Sequence, residues 1–150
     1  MHMCISKYIC NICLLFFAVV LTSCFSSYTS PQPPTDLIKF DDVRTFVGIE
    51  NIYPFKHSGK FTCEKAGLYH ISVVVTSNTD RAAYSIYRND DLLLLKVYIA
   101  THTGNAWEHT GTGVIATKLY VGDTISVKKE LKDMHVYGSM YSCLTIVKIN

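Results

Sequence analysis

An all-β fold is the class this sequence predicts, and three observations carry the expectation. From Tyr69 to Val75 the apolar residues Tyr69, Ile71, Val73 and Val75 recur at every other position, which puts all four on one face of a pleated strand. The opposite face carries His70, Ser72 and Thr76, with Val74 the exception, and no Asp, Glu, Lys or Arg interrupts Leu68 to Ser77. Ten Tyr and seven Phe fall in short β-prone runs separated by turn residues.

The runs follow one another along the chain. Phe25 to Thr29 is a short β-prone piece, and Ser30-Pro31-Gln32-Pro33-Pro34 after it can be neither helix nor central strand. Leu37 to Val43 resumes the β pattern, and residues 44–60 form a long connection to Phe61. Phe61 opens a short strand that turns at Lys65, Ala66 and Gly67 into the long strand above. Asn78-Thr79-Asp80 is a turn; Tyr84 to Arg88 reads as a strand ended by Asn89-Asp90-Asp91. Leu92 to Ile99 contains four leucines in a row, but eight residues between turn signals, closing on Val97, Tyr98 and Ile99, favour a strand. Gly122-Asp123 divides two further strands and sets Ile125 and Val127 on the core side. Lys128 to Met134 reads as an exposed charged loop, and the last strand runs from Met140 to Ile149. That last strand is apolar on both faces: Tyr141, Cys143, Val147 and Ile149 on one, Met140, Leu144 and Ile146 on the other. An antiparallel strand with one wet face would alternate, so something covers its second face.

Composition narrows the class further. A chain of 150 residues with 49% hydrophobic and 17% charged content builds one domain with a core rather than a disordered segment. A net charge of +2 lacks the basic stripe a nucleic-acid binder needs. Residues 1–24 stand apart: Lys7 precedes the apolar run Ile12 to Leu21, small residues Thr22 and Ser23 follow, and the twelve acidic residues all come later. The run is short for a bilayer span and reads as a secretory signal, leaving a domain over residues 25–150 with no membrane span. An uncleaved anchor is one alternative, and a lipoprotein box at Leu21-Thr22-Ser23-Cys24 another. Removing the leader takes Cys4, Cys10, Cys13 and Cys24 with it and leaves Cys63 and Cys143. In an oxidising compartment these two form one disulfide, closing a loop worth on the order of 4 kcal/mol, or stay as two buried thiols.

Five blocks resemble the C1q-type globular head domain. Phe61, Gly67 and Tyr69 followed by apolar Ile71 and Val73 match its aromatic signature, with Ile and Val where the family has Phe or Tyr. Phe25-Ser26-Ser27-Tyr28 and Phe40-Asp41-Asp42-Val43 match its opening strands, and Leu119, Gly122-Asp123, Ile125 and Val127 match its Leu-x-x-Gly-Asp-x-Val-x-Val element. Tyr141-Ser142-Cys143-Leu144 matches the closing strand, with Cys143 in a Gly position. The chain departs at Phe46, which takes an Asn place, and in a connection to Phe61 longer by about three residues, a cheap change in a surface loop. The resemblance implies a jelly-roll sandwich of about ten strands in two antiparallel sheets, as in the C1q and tumour-necrosis-factor folds. It also implies a homotrimer, in which a neighbouring subunit covers the last strand.

The residues of catalysis are not assembled in this sequence. Gly111-Thr112-Gly113-Val114-Ile115-Ala116 satisfies a dinucleotide fingerprint on paper, but strand residues and a turn follow instead of the helix that pyrophosphate needs. His57, His70, His102, His109 and His135 show no metal-ligand spacing, and His70 on the polar side of its strand is a surface or interface side chain. No Gly-x-Ser-x-Gly elbow and no Asn-x-Ser/Thr acceptor occur. No cofactor is called for, although Asp41-Asp42 and Asp90-Asp91 are the residues that would serve calcium. Trp107, in the polar stretch Thr101 to Thr110, is the one side chain singled out for ligand contact, by stacking on a sugar or anchoring a protein interface. Together with the leader, the resemblance implies a secreted, non-enzymatic recognition protein, a trimeric lectin-like binder of microbial or host glycans in innate immunity. The alternative is a cytokine-like or extracellular-matrix trimer that binds a protein receptor.

Overall fold

The computed structural model describes residues 19–24, 36–100 and 108–149. Nine strands and one short helix lie among them: β1 (Val20–Cys24), β2 (Asp42–Val47), α1 (Tyr53–Ser58), β3 (Phe61–Thr62), β4 (Gly67–Ser77), β5 (Ala82–Arg88), β6 (Leu92–Ala100), β7 (His109–Leu119), β8 (Thr124–Lys129) and β9 (Cys143–Lys148). They form two antiparallel sheets, one of five strands in the order β2-β1-β9-β4-β7 and one of four in the order β3-β8-β5-β6. The expected all-β sandwich is therefore what the chain forms.

The alternating residues of β4 behave as their period demands. Tyr69, Ile71, Val73 and Val75 are fully buried and meet Tyr84 and Ile86 of β5, Ile125 and Val127 of β8, and Leu144 and Ile146 of β9 in one core. The Tyr84 hydroxyl donates to the Val73 carbonyl at 2.7 Å, pinning one sheet to the other through the core. Burial away from water drives the Tyr84 phenol well above its ordinary titration range, so it stays a donor. Gly111 and Gly113 sit inside β7, where a β-carbon at Gly113 would meet a Val97 methyl at 2.7 Å. The glycine pair of the nucleotide-like fingerprint thus lets β6 close against β7.

Several expectations change. The first described strand is Val20–Cys24, between β2 and β9, and Leu21 is fully buried in the core. A boundary after residue 24 would cut this strand away, because the segment supplies ladder bonds and a core side chain as well as leader-like hydropathy. The Phe25–Tyr28 block and Trp107 lie outside the described residues. Residues 44–60 complete β2 and then form α1, whose Phe55 enters the core. The charged stretch after β8 is tied down: Met134 and Val136 are buried, and the Glu130 amide donates to the Ala83 carbonyl. Ser139 and Met140 adopt positive φ in a turn, so the last strand starts at Cys143.

Of the two states open to Cys63 and Cys143, a disulfide between them or two buried thiols, the disulfide does not form. Cys143 is bonded instead to Cys24, directly opposite it in the β1–β9 ladder, with Cα atoms 4.1 Å apart. Cys63 is a buried free thiol after β3, within 3.7 Å of the Tyr69 hydroxyl and 3.3 Å of the Lys65 carbonyl. Burial pushes this thiol's titration up and keeps it protonated and inert. The lipid-accepting role considered for Cys24 conflicts with this bond, which occupies its sulfur.

Candidate functional surfaces

The outward face of the five-stranded sheet follows from the ladder register. Leu21, Tyr69, Ile71, Leu144 and Ile146 point into the core, so their chain neighbours point out. Three cross-strand rows result: Val47, Val20, Val147, His70 and Ala116; then Thr45, Thr22, Thr145, Ser72 and Val114; then Asp42, Cys24, Cys143, Val74 and Thr112. Asp42 is the charged residue among them, at the edge of the sheet and paired with Arg44 at 2.5 Å. The remainder are small aliphatic or hydroxyl side chains, a disulfide and one imidazole. Val114 is 55% exposed, and Val20, Val74 and Val147 are half-buried. Such a broad uncharged sheet face is suited to close contact with another protein surface.

The four-stranded sheet presents the opposite chemistry. Ser85 on β5 lies between Lys128 on β8 and Lys96 on β6, with Tyr87 beside Ser126 and Ala83 beside Tyr98. Glu130 accepts from the Ser85 hydroxyl and from Lys96, the latter at 2.7 Å. Asp90 pairs with Lys60 and accepts from Ser126 at 3.1 Å, while Lys128 reaches the Asp90 carbonyl at 2.9 Å. Lysine ammoniums stand over two tyrosine rings, Lys128 at 4.8 Å from Tyr87 and Lys96 at 5.4 Å from Tyr98. The Lys60 and Lys96 contacts hold the Asp90 and Glu130 carboxyls below the usual carboxylate range. An open cleft of about 570 Å³ adjoins this network, lined by Asp36, Leu37, Lys39, Ser58, Lys60, Asp90 and Lys128. Tyr98 is 73% exposed and stands clear of the core.

Sequence inspection missed this ridge because its members are far apart in the chain. Lys60, Asp90 and Lys128 converge only when β3, β5 and β8 are laid side by side. The alternation of Ser85 and Tyr87 with core residues was the available signal. Of the acid pairs considered for calcium, Asp90 is engaged by Lys60, Lys128 and Ser126, and Asp42 by Arg44. Among the described residues, no three His, Cys, Asp or Glu side chains gather at metal-binding distance.

The comparisons agree with this architecture. The family model of the C1q domain matches residues 17–145, most of the chain, so the protein belongs to the C1q-domain family. Members of this family are generally non-enzymatic binding proteins and typically extracellular. Among solved structures it is similar to the globular domain of zebrafish complement 1qA protein, with a TM-score of 0.64 and 16% identity over 89% of this chain and 97% of that one. Murine APRIL is similar at TM-score 0.65 and 13% identity, over 88% of this chain and 99% of that one. An Eiger TNF from S. frugiperda is similar at 0.59 and 14%, over 89% and 92%. At these identities the likeness concerns the fold. A comparison with curated protein sequences finds no match. Among the described residues no helix is long and apolar enough to cross a membrane.

Proposed function

We propose that this chain is a secreted recognition protein that acts as a homotrimer and binds glycans in innate immunity. The observation that carries this reading is the division between the two outer faces. Three rows without a charge except at one edge favour a second copy of the same uncharged face over solvent. The C1q-domain family membership supports three as the copy number. The other sheet supplies what a sugar requires: an exposed aromatic ring on Tyr98, the Lys96 ammonium 5.4 Å from its centre, and the Glu130 carboxylate that joins this ammonium to the Ser85 hydroxyl. Trp107 is retained as a second ring for stacking. The export leader then ends before Val19, so that β1 and Cys24 remain in the mature chain.

A glycan array probed with the purified protein, with and without chelator, tests the ligand. Binding that survives chelator and falls at least ten-fold in Tyr98→Ala or Trp107→Ala, with assembly intact, supports the lectin. Absence of glycan binding together with capture of a cell-surface protein receptor favours the cytokine-like alternative. Sedimentation tests assembly separately, and a monomer at micromolar concentration removes the trimer.

A further inference from the structure

Resting on that self-association, we infer that His70 makes assembly pH-dependent, with subunits joined at neutral pH and released in mild acid. His70 lies on β4 in the row between Val147 of β9 and Ala116 of β7, and it is the titratable side chain in the interior of the uncharged face. Imidazole is the side chain whose ordinary titration falls between pH 5 and 8. A face that buries well when neutral buries badly once a cation stands in it, because desolvating a charge without a partner is costly.

Among the described residues, the groups around His70 give the cation nothing to pair with. On its own strand the outward neighbours are Leu68 and Ser72. On β9 they are Thr145 and Val147; Lys148 is the next residue, paired with Tyr69 on the other side of the sheet. On β7 they are Val114, Ala116 and Lys118, the last opposite Leu68 with its ammonium 5.3 Å from the Tyr120 ring. Lys118 adds positive charge, so it opposes protonation of a covered His70. Asp42 lies at the far corner of the face on β2, held by Arg44. Among the described residues, no carboxylate shares the rows beside the imidazole.

The sign follows from linkage. A histidine that must be neutral in the assembled state titrates lower there than in the free subunit. Its contribution to assembly is therefore complete above the free subunit's titration and is lost as pH falls through it. Each site lowers the association constant about ten-fold per pH unit below that point, so three sites lower the trimer constant up to about 10³-fold.

The test is sedimentation of the full secreted protein and of His70→Gln at about 10 µM, at pH 7.5 and pH 5.5. The expected result is wild-type trimer at pH 7.5, wild-type monomer at pH 5.5, and His70→Gln trimer at both. Wild-type trimer at both pH values overturns the switch and leaves the trimer standing. Acid dissociation of His70→Gln along with the wild type also overturns it, and assigns the effect to another group such as His57, His109 or His135. A wild-type monomer at pH 7.5 removes the self-association reading itself, and the switch with it. Should His70→Gln fail to assemble, proton uptake by the wild type on dilution at pH 6 decides, read in buffers of different ionisation enthalpy. Uptake of up to about three protons per trimer supports the switch, and none overturns it.

Discussion

The outward faces of the two sheets differ more than their inward faces do. Both inner faces are β-branched and aromatic, and Tyr84 donating to Val73 ties one to the other. Outside, the five-stranded sheet is small, aliphatic and hydroxylated, whereas the four-stranded sheet carries a lysine, carboxylate and tyrosine network. The contrast teaches that charge placement follows what each face is to meet. If the uncharged face meets another copy, it gains by carrying no ions to desolvate, and a face that stays wet can hold them at little cost.

Breaking the contrast on the neutral side has the largest expected effect. Thr145→Glu places a carboxylate on the central strand β9, between Thr22 and Ser72. If this face joins subunits, association falls by on the order of 10³-fold, since charges of one sign meet in a covered surface. Sedimentation checks the loss, and an unchanged circular-dichroism melt of the monomer shows that the fold survives.

Removing the covalent tie within that face comes next. Cys24 and Cys143 close a loop spanning 119 residues, so replacing both with Ser is expected to cost about 2–5 kcal/mol in urea unfolding. Cys63→Ser gives the contrast: alkylation of the unfolded wild type finds one free thiol after β1, and the Cys24–Cys143 peptide pair persists in non-reducing mass mapping. A linked Cys63–Cys143 peptide would contradict the structure.

Smaller effects are expected inside and on the wet face. Tyr84→Phe leaves a core carbonyl without its phenol donor and is expected to cost about 1–2 kcal/mol, measured by urea unfolding. Glu130→Gln is expected to cost less than about 1 kcal/mol, because Lys96 and the carboxylate remain partly solvated. Glu130's carboxyl titrates below its ordinary range in the folded chain. Its small contribution is therefore present above the unfolded carboxylate's titration and lost as pH falls through the folded one. A pH series of melts should show the wild type and Glu130→Gln converging in acid.

Local pattern was enough to place most strands. The period of two in β4, the Asn89-Asp90 turn and the Gly122-Asp123 turn each act over a few residues, and Asn89, Asp90 and Gly122 all adopt the positive φ such turns need. The disulfide was not legible in the same way. Pairing Cys143 required knowing whether residues 20–24 leave with the leader or stay as a strand, and their apolar composition suits both fates. Likewise the sequence of β9 is apolar on both faces, but only its register shows that Leu144 and Ile146 face the core while Val147 and Thr145 face outward.

What the sequence determined by itself was the fold class, the family and the alternation that makes a core, because these depend on neighbours a few positions apart. The tertiary structure alone decided which cysteine meets which, and which scattered lysines and acids share a ridge. It also decided that His70 stands in the middle of a neutral face. Each of these depends on strand order and register, through which residues dozens of positions apart come within a few ångströms of one another.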